Sequence, residues 1–165
     1  MRMTRKLLDL AGIGAQRLHL EWVSSAEAQR FADIAAAVVQ SVKDQGPLDH
    51  RASEMQLRAC EMTVSGETLR WLVGKEVKIT SRGDVYGRPW PVDRYESLLD
   101  VILEREYQKN LIYLAIQERC TSVREIGKRV GLGLKRVSYL LADLEKTKRV
   151  EFRGMEEKKP QFGAL

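Results

Sequence analysis

Hydrophobic and polar residues alternate from position 17 to 22, where Leu18, Leu20 and Trp22 fall between Arg17, His19 and Glu21. A period of two predicts a half-buried strand. Beyond it the period changes. Phe31, Ile34, Ala35, Val38 and Val42 recur every three or four positions, which predicts a helix with one apolar face. Between the two patterns Ser24 and Glu27 form S-x-x-E, the signature of a capping box, and Gly46-Pro47 ends the helix. Residues 4–10 read as a short basic helix carrying Leu7, Leu8 and Leu10, closed by Gly12 and Gly14. Helix, strand and helix make the trailing part of an α/β unit. A single strand cannot pair its own backbone groups, so the pattern demands an edge from elsewhere.

Further along, residues 48–62 predict another helix, with Met55, Leu57, Ala59 and Met62 available for packing. Residues 67–73 predict a short helix stopped at Gly74. Lys75-Glu76-Val77-Lys78-Ile79-Thr80 alternates and reads as a strand. A turn at 81–84 and a return at 85–87 would complete a small hairpin. Residues 93–117 are strongly helical, as one helix or two, with Asp93 able to cap the start.

Residues 107–154 carry the clearest domain pattern. A first helix occupies 110–119. Thr121 or Ser122 caps a second at 123–130, whose Val123, Ile126 and Val130 point inward. Gly131 permits the tight turn. A third helix spans 134–146 with Val137, Leu141 and Leu144 inward, and residues 150–152 and 161–162 pair as short strands. Three helices and a hairpin make a winged helix-turn-helix, which the stretch SVREIGKRVGLGLKRVSYLLADLEKTKRVEFRG resembles. In such a domain the third helix offers Lys135, Arg136, Ser138 and Tyr139 to base edges, and Arg149, Arg153, Lys158 and Lys159 supply phosphate contacts. Against this, Gly131-Leu132-Gly133 gives the third helix no hydroxyl cap, and Leu134 and Leu140 stand at positions expected to be exposed. Leucines there suit a protein interface better than a groove lined with phosphates.

Charge sharpens the choice without deciding it. The chain of 165 residues carries a net +5. Residues 105–160 hold 14 Lys/Arg against 8 Asp/Glu, and the remainder 14 against 15. A basic C-terminal region fits nucleic acid, a solvated face or an acidic partner subunit equally. No apolar run reaches the ~20 residues that cross a bilayer, so a cytoplasmic protein without membrane insertion is expected. Catalytic motifs are missing from the sequence, which has no nucleophile elbow, no H-E-x-x-H and no Walker loop. His19 and His50 read as surface residues, and Gly83 and Gly87 as turn formers rather than a phosphate cradle. Trp71 and Trp90 read as core or docking aromatics. Cys60 and Cys120 read as buried small hydrophobes, and two cysteines cannot supply four thiolates to an iron-sulfur cluster.

RLHLEWVSSAEAQRFADI, preceded by MRMTRKLLDLAGI, resembles the C-terminal strand and helix of the delta, or iron-sulfur, subunit of methyl-viologen-reducing hydrogenases. The order Leu-x-x-x-Gly-Ile, Arg-Leu-x-Leu-Glu-Trp-x-Ser, then Ala-Glu and Phe-Ala carries the resemblance. The stretch LVGKE with the later VYG is similar, more loosely, to a segment found after that domain in longer members. The resemblance implies a link between hydrogenases or formate dehydrogenases and heterodisulfide reductase. It also implies a cluster held by cysteines upstream of the matched region, on another segment or polypeptide.

The expected protein is therefore a mostly helical α+β chain in three parts. A partial α/β piece of delta-subunit type spans 1–46, a helical and hairpin connection 47–104, and a winged helix-turn-helix 105–165. The expected role is that of an accessory subunit of a hydrogenase- or heterodisulfide reductase-linked electron-transfer complex. It would be non-catalytic alone and without a cofactor of its own, with the iron-sulfur cluster on the upstream or partner segment. Trp22, Phe31, Leu134 and Leu140 are the expected docking residues. The alternative is a DNA-binding regulator working through Lys135, Arg136, Ser138, Tyr139, Arg149 and Arg153.

Overall fold

Apolar spacing and glycine placement account for most of the helices of the computed structural model, which describes residues 1–83, 86–157 and 159–165. The fold is mostly helical α+β with one two-stranded antiparallel sheet among the described residues. The chain divides into two compact units, Met1–Glu54 and Met55–Leu165.

In the first unit, α1 (Arg2–Leu10) buries Leu7 and stops where Gly12 and Gly14 take positive φ. A 3-10 turn, Ala15–Arg17, packs against it. The strand expected after Arg17 does not form. Leu18 is extended, at φ −107° and ψ 109°, but residues 19–23 have no regular structure and their backbone makes no hydrogen bond to any described residue. The alternation is real, and no ladder partner for it lies among the described residues. The helix that follows, α2 (Ala28–Gln45), begins after a cap that is only half the predicted box. Glu27 Oε2 accepts from the Ser24 N–H at 2.8 Å, whereas Ser24 Oγ accepts from Ala26 N–H at 3.4 Å rather than from Glu27. Gly46, at φ 67°, terminates α2.

The second unit begins within α3 (Glu54–Ser65). This helix starts later than its apolar residues suggest. Asp49 Oδ1 accepts from Arg51 and Ala52 N–H at 3.0 Å and holds the preceding residues in a turn. Next comes α4 (Glu67–Gly74). Residues 75–80 are not a strand. The chain continues helically into a π-type turn, Lys78–Arg82, with Val77 exposed, so the expected hairpin is not made there. Asp84 and Val85, which the predicted turn and return included, lie outside the described residues, and Tyr86 and Gly87 form a turn and bend.

One continuous helix, α5 (Val92–Gln117), crosses the unit and runs through position 105. Pro91 stands at its N-cap, so Asp93 falls inside the first turn instead of capping it. α6 (Val123–Val130) starts with the predicted cap. Ser122 Oγ accepts from Glu125 N–H at 3.3 Å, and Glu125 Oε2 accepts from Ser122 N–H at 3.0 Å. Gly131 closes α6 in the left-handed conformation, at φ 70°. α7 (Leu134–Lys146) follows, then β1 (Val150–Glu156) and β2 (Lys159–Ala164). β2 also bridges Ser122 through Gln161, and Phe162 N–H donates to Thr121 O at 2.9 Å. Helices α5, α6 and α7 pack on one another, with the strands against α5 and α7. Leu103, Ile112, Ile126, Val137, Leu140, Leu141, Leu144 and Val150 are sealed between them. Replacing Ser122 by alanine removes one half of the cap and is expected to destabilise this unit by about 1 kcal/mol. Urea unfolding checks it through a lower midpoint at unchanged slope.

Candidate functional site

Helix α2 buries none of its described residues, although it has eighteen of them. One flank of its apolar stripe is half-covered at Ile34, Val38 and Ser41. The other flank, Phe31, Ala35, Val39 and Val42, is open to solvent along three turns, and Phe31 is 64% exposed. On the extended segment before it, Leu20 is exposed and Trp22 is 82% exposed. Isolated exposed apolar residues need no explanation. A tryptophan, a phenylalanine and a valine row on two consecutive segments do.

The surface is held in place from one end. Arg17 donates from Nη1 to Gly46 O at 3.0 Å and from Nη2 to Gln45 O at 3.1 Å, and Gln45 Nε2 reaches Gln16 O at 3.4 Å. A guanidinium on the last carbonyls of α2 satisfies groups the helix cannot, and it opposes the negative end of the helix dipole. At the other end Glu27 is fixed by the Ser24 amide and by Arg30, and both hold its carboxyl below the usual range. The segment 18–26 is therefore tethered at both ends while its middle is unpaired. Periodicity identified Phe31 and Trp22. It did not identify Val39, which sits off the predicted stripe, or the Arg17 clamp, which joins residues 28 and 29 positions apart.

In the second unit Leu134 is 51% exposed, whereas Leu140, at a position expected to be exposed, is fully buried. The reason is geometric: α7 packs on α5 and on β1, so its inward face is wide enough to take Leu140 along with Val137, Leu141 and Leu144. Leu140 is not available to a partner. The six candidate nucleic-acid residues divide. Lys135, Ser138 and Tyr139 are exposed on α7. Arg136 donates to Gln108 Oε1 at 2.7 Å, and with Arg105 it flanks the Tyr139 ring at 6.0 and 5.8 Å. Arg105 is itself ion-paired to Asp143. Arg149 donates to Asn110 Oδ1 at 2.8 Å and lies over Tyr113 at 4.5 Å, so its half-buried guanidinium is tied to α5. Arg153 pairs with Glu151, and Lys159 pairs with Glu157. Lys158 lies outside the described residues.

A polar connection that no motif announces runs through the same unit. Thr63 Oγ1 donates to Ala59 O at 2.6 Å and accepts from Asn110 Nδ2 at 2.9 Å, and Asn110 Oδ1 accepts from Arg149 Nη1 at 2.8 Å. Beside it is a cavity of about 190 Å³, lined also by Lys109 and Glu106, whose side chains pair at 2.9 Å. Its buried polar groups are mutually satisfied, which is what a stable interior requires.

An iron-sulfur centre does not fit these residues. Cys60 on α3 and Cys120 after α5 are the two cysteines of the sequence, and burial pushes both thiols up, Cys60 to about 11. Cluster ligands are thiolates and come in fours. No group of three or more His, Cys, Asp or Glu side chains is placed to hold a metal ion among the described residues, and none of the described helices is long and apolar enough to cross a membrane.

Residues 1–46 match the family described as methyl-viologen-reducing hydrogenase, delta subunit (FlpD). The match covers α1, the unpaired segment and α2. No solved structure matches the chain.

Proposed function

We propose that this chain is an accessory subunit of a hydrogenase- or heterodisulfide reductase-linked electron-transfer complex, acting by docking and leaving the iron-sulfur cluster to a partner segment. One coincidence carries the reading. The stretch that matches the delta-subunit family is also the stretch whose apolar surface and backbone groups lack cover. In water such a surface costs free energy that a partner recovers by burying it. Trp22 and Phe31 serve as its anchors, since large aromatics dominate interface energies. On this reading the second unit is a winged helix that braces the assembly, with exposed Leu134 at a further contact. Of the cationic side chains that a DNA reading needs, Arg136 and Arg149 are held by Gln108 and Asn110 of α5, whereas Lys135 is exposed.

Affinity purification of the tagged full chain under anaerobic conditions tests the reading. Hydrogenase- or heterodisulfide reductase-type iron proteins are expected to co-elute in stoichiometric amount, identified by mass spectrometry and iron content. Recovery of the chain without any iron protein overturns it.

A further inference from the structure

Residues 18–22 are self-complementary. Laid antiparallel against a second copy with Leu20 on the two-fold axis, Leu20 faces Leu20, and each Leu18 faces the other copy's Trp22. On the opposite face each His19 meets the other copy's Glu21. Every apolar side chain then meets an apolar one, and each carboxylate meets an imidazole. We propose that this segment is a homodimer interface, in which the two copies pair residues 18–22 as antiparallel strands across a two-fold axis.

Three observations converge on a second copy as the occupant. The backbone of residues 19–23 makes no hydrogen bond to any described residue. Leu18 is already extended, with its N–H donating to Ala15 O and its carbonyl accepting from Arg5, so the ladder bonds fall on His19 and Glu21. An antiparallel neighbour supplies the missing donors and acceptors, which a flat apolar partner does not. The polar pattern is matched under reversal, imidazole to carboxylate, as a two-fold interface demands of a surface that meets itself. Two strands alone are marginal in water and need an apolar layer behind them. The open flank of α2, Phe31 to Val42, is joined to the segment by a few residues and supplies that layer from each copy. Arg17 does not enter the pairing, because its guanidinium is spent on the carbonyls that end α2. The inference concerns the chain by itself and stands apart from the redox complex. A redox partner using the same surface would have to displace the second copy.

Sedimentation of the purified full chain over a concentration series tests it. The wild-type chain is expected to be a dimer. His19→Glu sets carboxylate against carboxylate twice and is expected to raise the dissociation constant roughly tenfold or more. The exchange His19→Glu with Glu21→His restores both pairs and is expected to return the constant to near the wild-type value. Leu20→Asp, which opposes two charges on the axis, is expected to give a monomer. Positions 19, 20 and 21 are exposed, so the helical circular dichroism signal is expected to be the same in all four proteins. A monomeric wild type, a dimer indifferent to His19→Glu, or an exchange that fails to restore it overturns the proposal.

Discussion

Replacing Asn110 with alanine is expected to lower the melting temperature by about 10 °C, through a loss of about 3 kcal/mol. Asn110 is buried in α5 and its two amide atoms serve two other elements. Its Nδ2 donates to Thr63 of α3, and its Oδ1 accepts from Arg149 just before β1. Alanine deletes both bonds. Thr63 keeps its bond to Ala59 O, so the threonine side of the loss is about 1 kcal/mol. The Arg149 side is larger, because a half-buried guanidinium over Tyr113 loses its acceptor. Asn110→Asp separates the two contributions. It retains an acceptor for Arg149 while removing the donor to Thr63, and its melting temperature is expected to fall between those of the wild type and the alanine variant. A shift under about 2 °C for Asn110→Ala would show that the connection contributes little.

The second large effect is at Trp22. Trp22→Ala is expected to weaken binding to the iron-protein partner by about 30- to 100-fold, the equivalent of about 2–3 kcal/mol. The monomeric chain, at concentrations below its self-association, should be no less stable than wild type, to within about 0.5 kcal/mol, because within one copy the indole is almost wholly in solvent. Surface-immobilised partner and thermal melts of both proteins measure the two quantities. Unchanged affinity would remove Trp22 from the interface. A large loss of stability would instead mean that the side chain packs within its own unit.

How much of this could be read from the letters depends on the range of the forces involved. The α6–α7 pair was legible because its signals are local: Ser122 with Glu125, Gly131, and apolar residues three and four apart. The helix α2 was legible for the same reason. Alternation at 75–80 misled, since the chain there follows helical hydrogen bonds, Ile79 N–H to Lys75 O at 2.9 Å, with Val77 in solvent. Alternation at 18–22 described the side chains correctly but not the backbone, because a strand exists only when another pairs with it. Leu140 was misplaced because its burial depends on β1 and α5 together, which no helical wheel contains. The Thr63–Asn110–Arg149 connection has no local signature at all, as its members are 47 and 39 residues apart.

Arg153 has no opposite number in β2, where Phe152 pairs with Phe162 and Gly154 with Gln161. The extra residue bends β1, and its guanidinium lies over Gly163, where a side chain would collide with it. A border interrupted in this way is a poor template for a neighbouring chain, however apolar Phe152 and Met155 are. Crowded solutions of this protein should accordingly resist cross-β clumping through the hairpin. Backbone recruitment of another polypeptide is left to the unpaired segment ahead of α2.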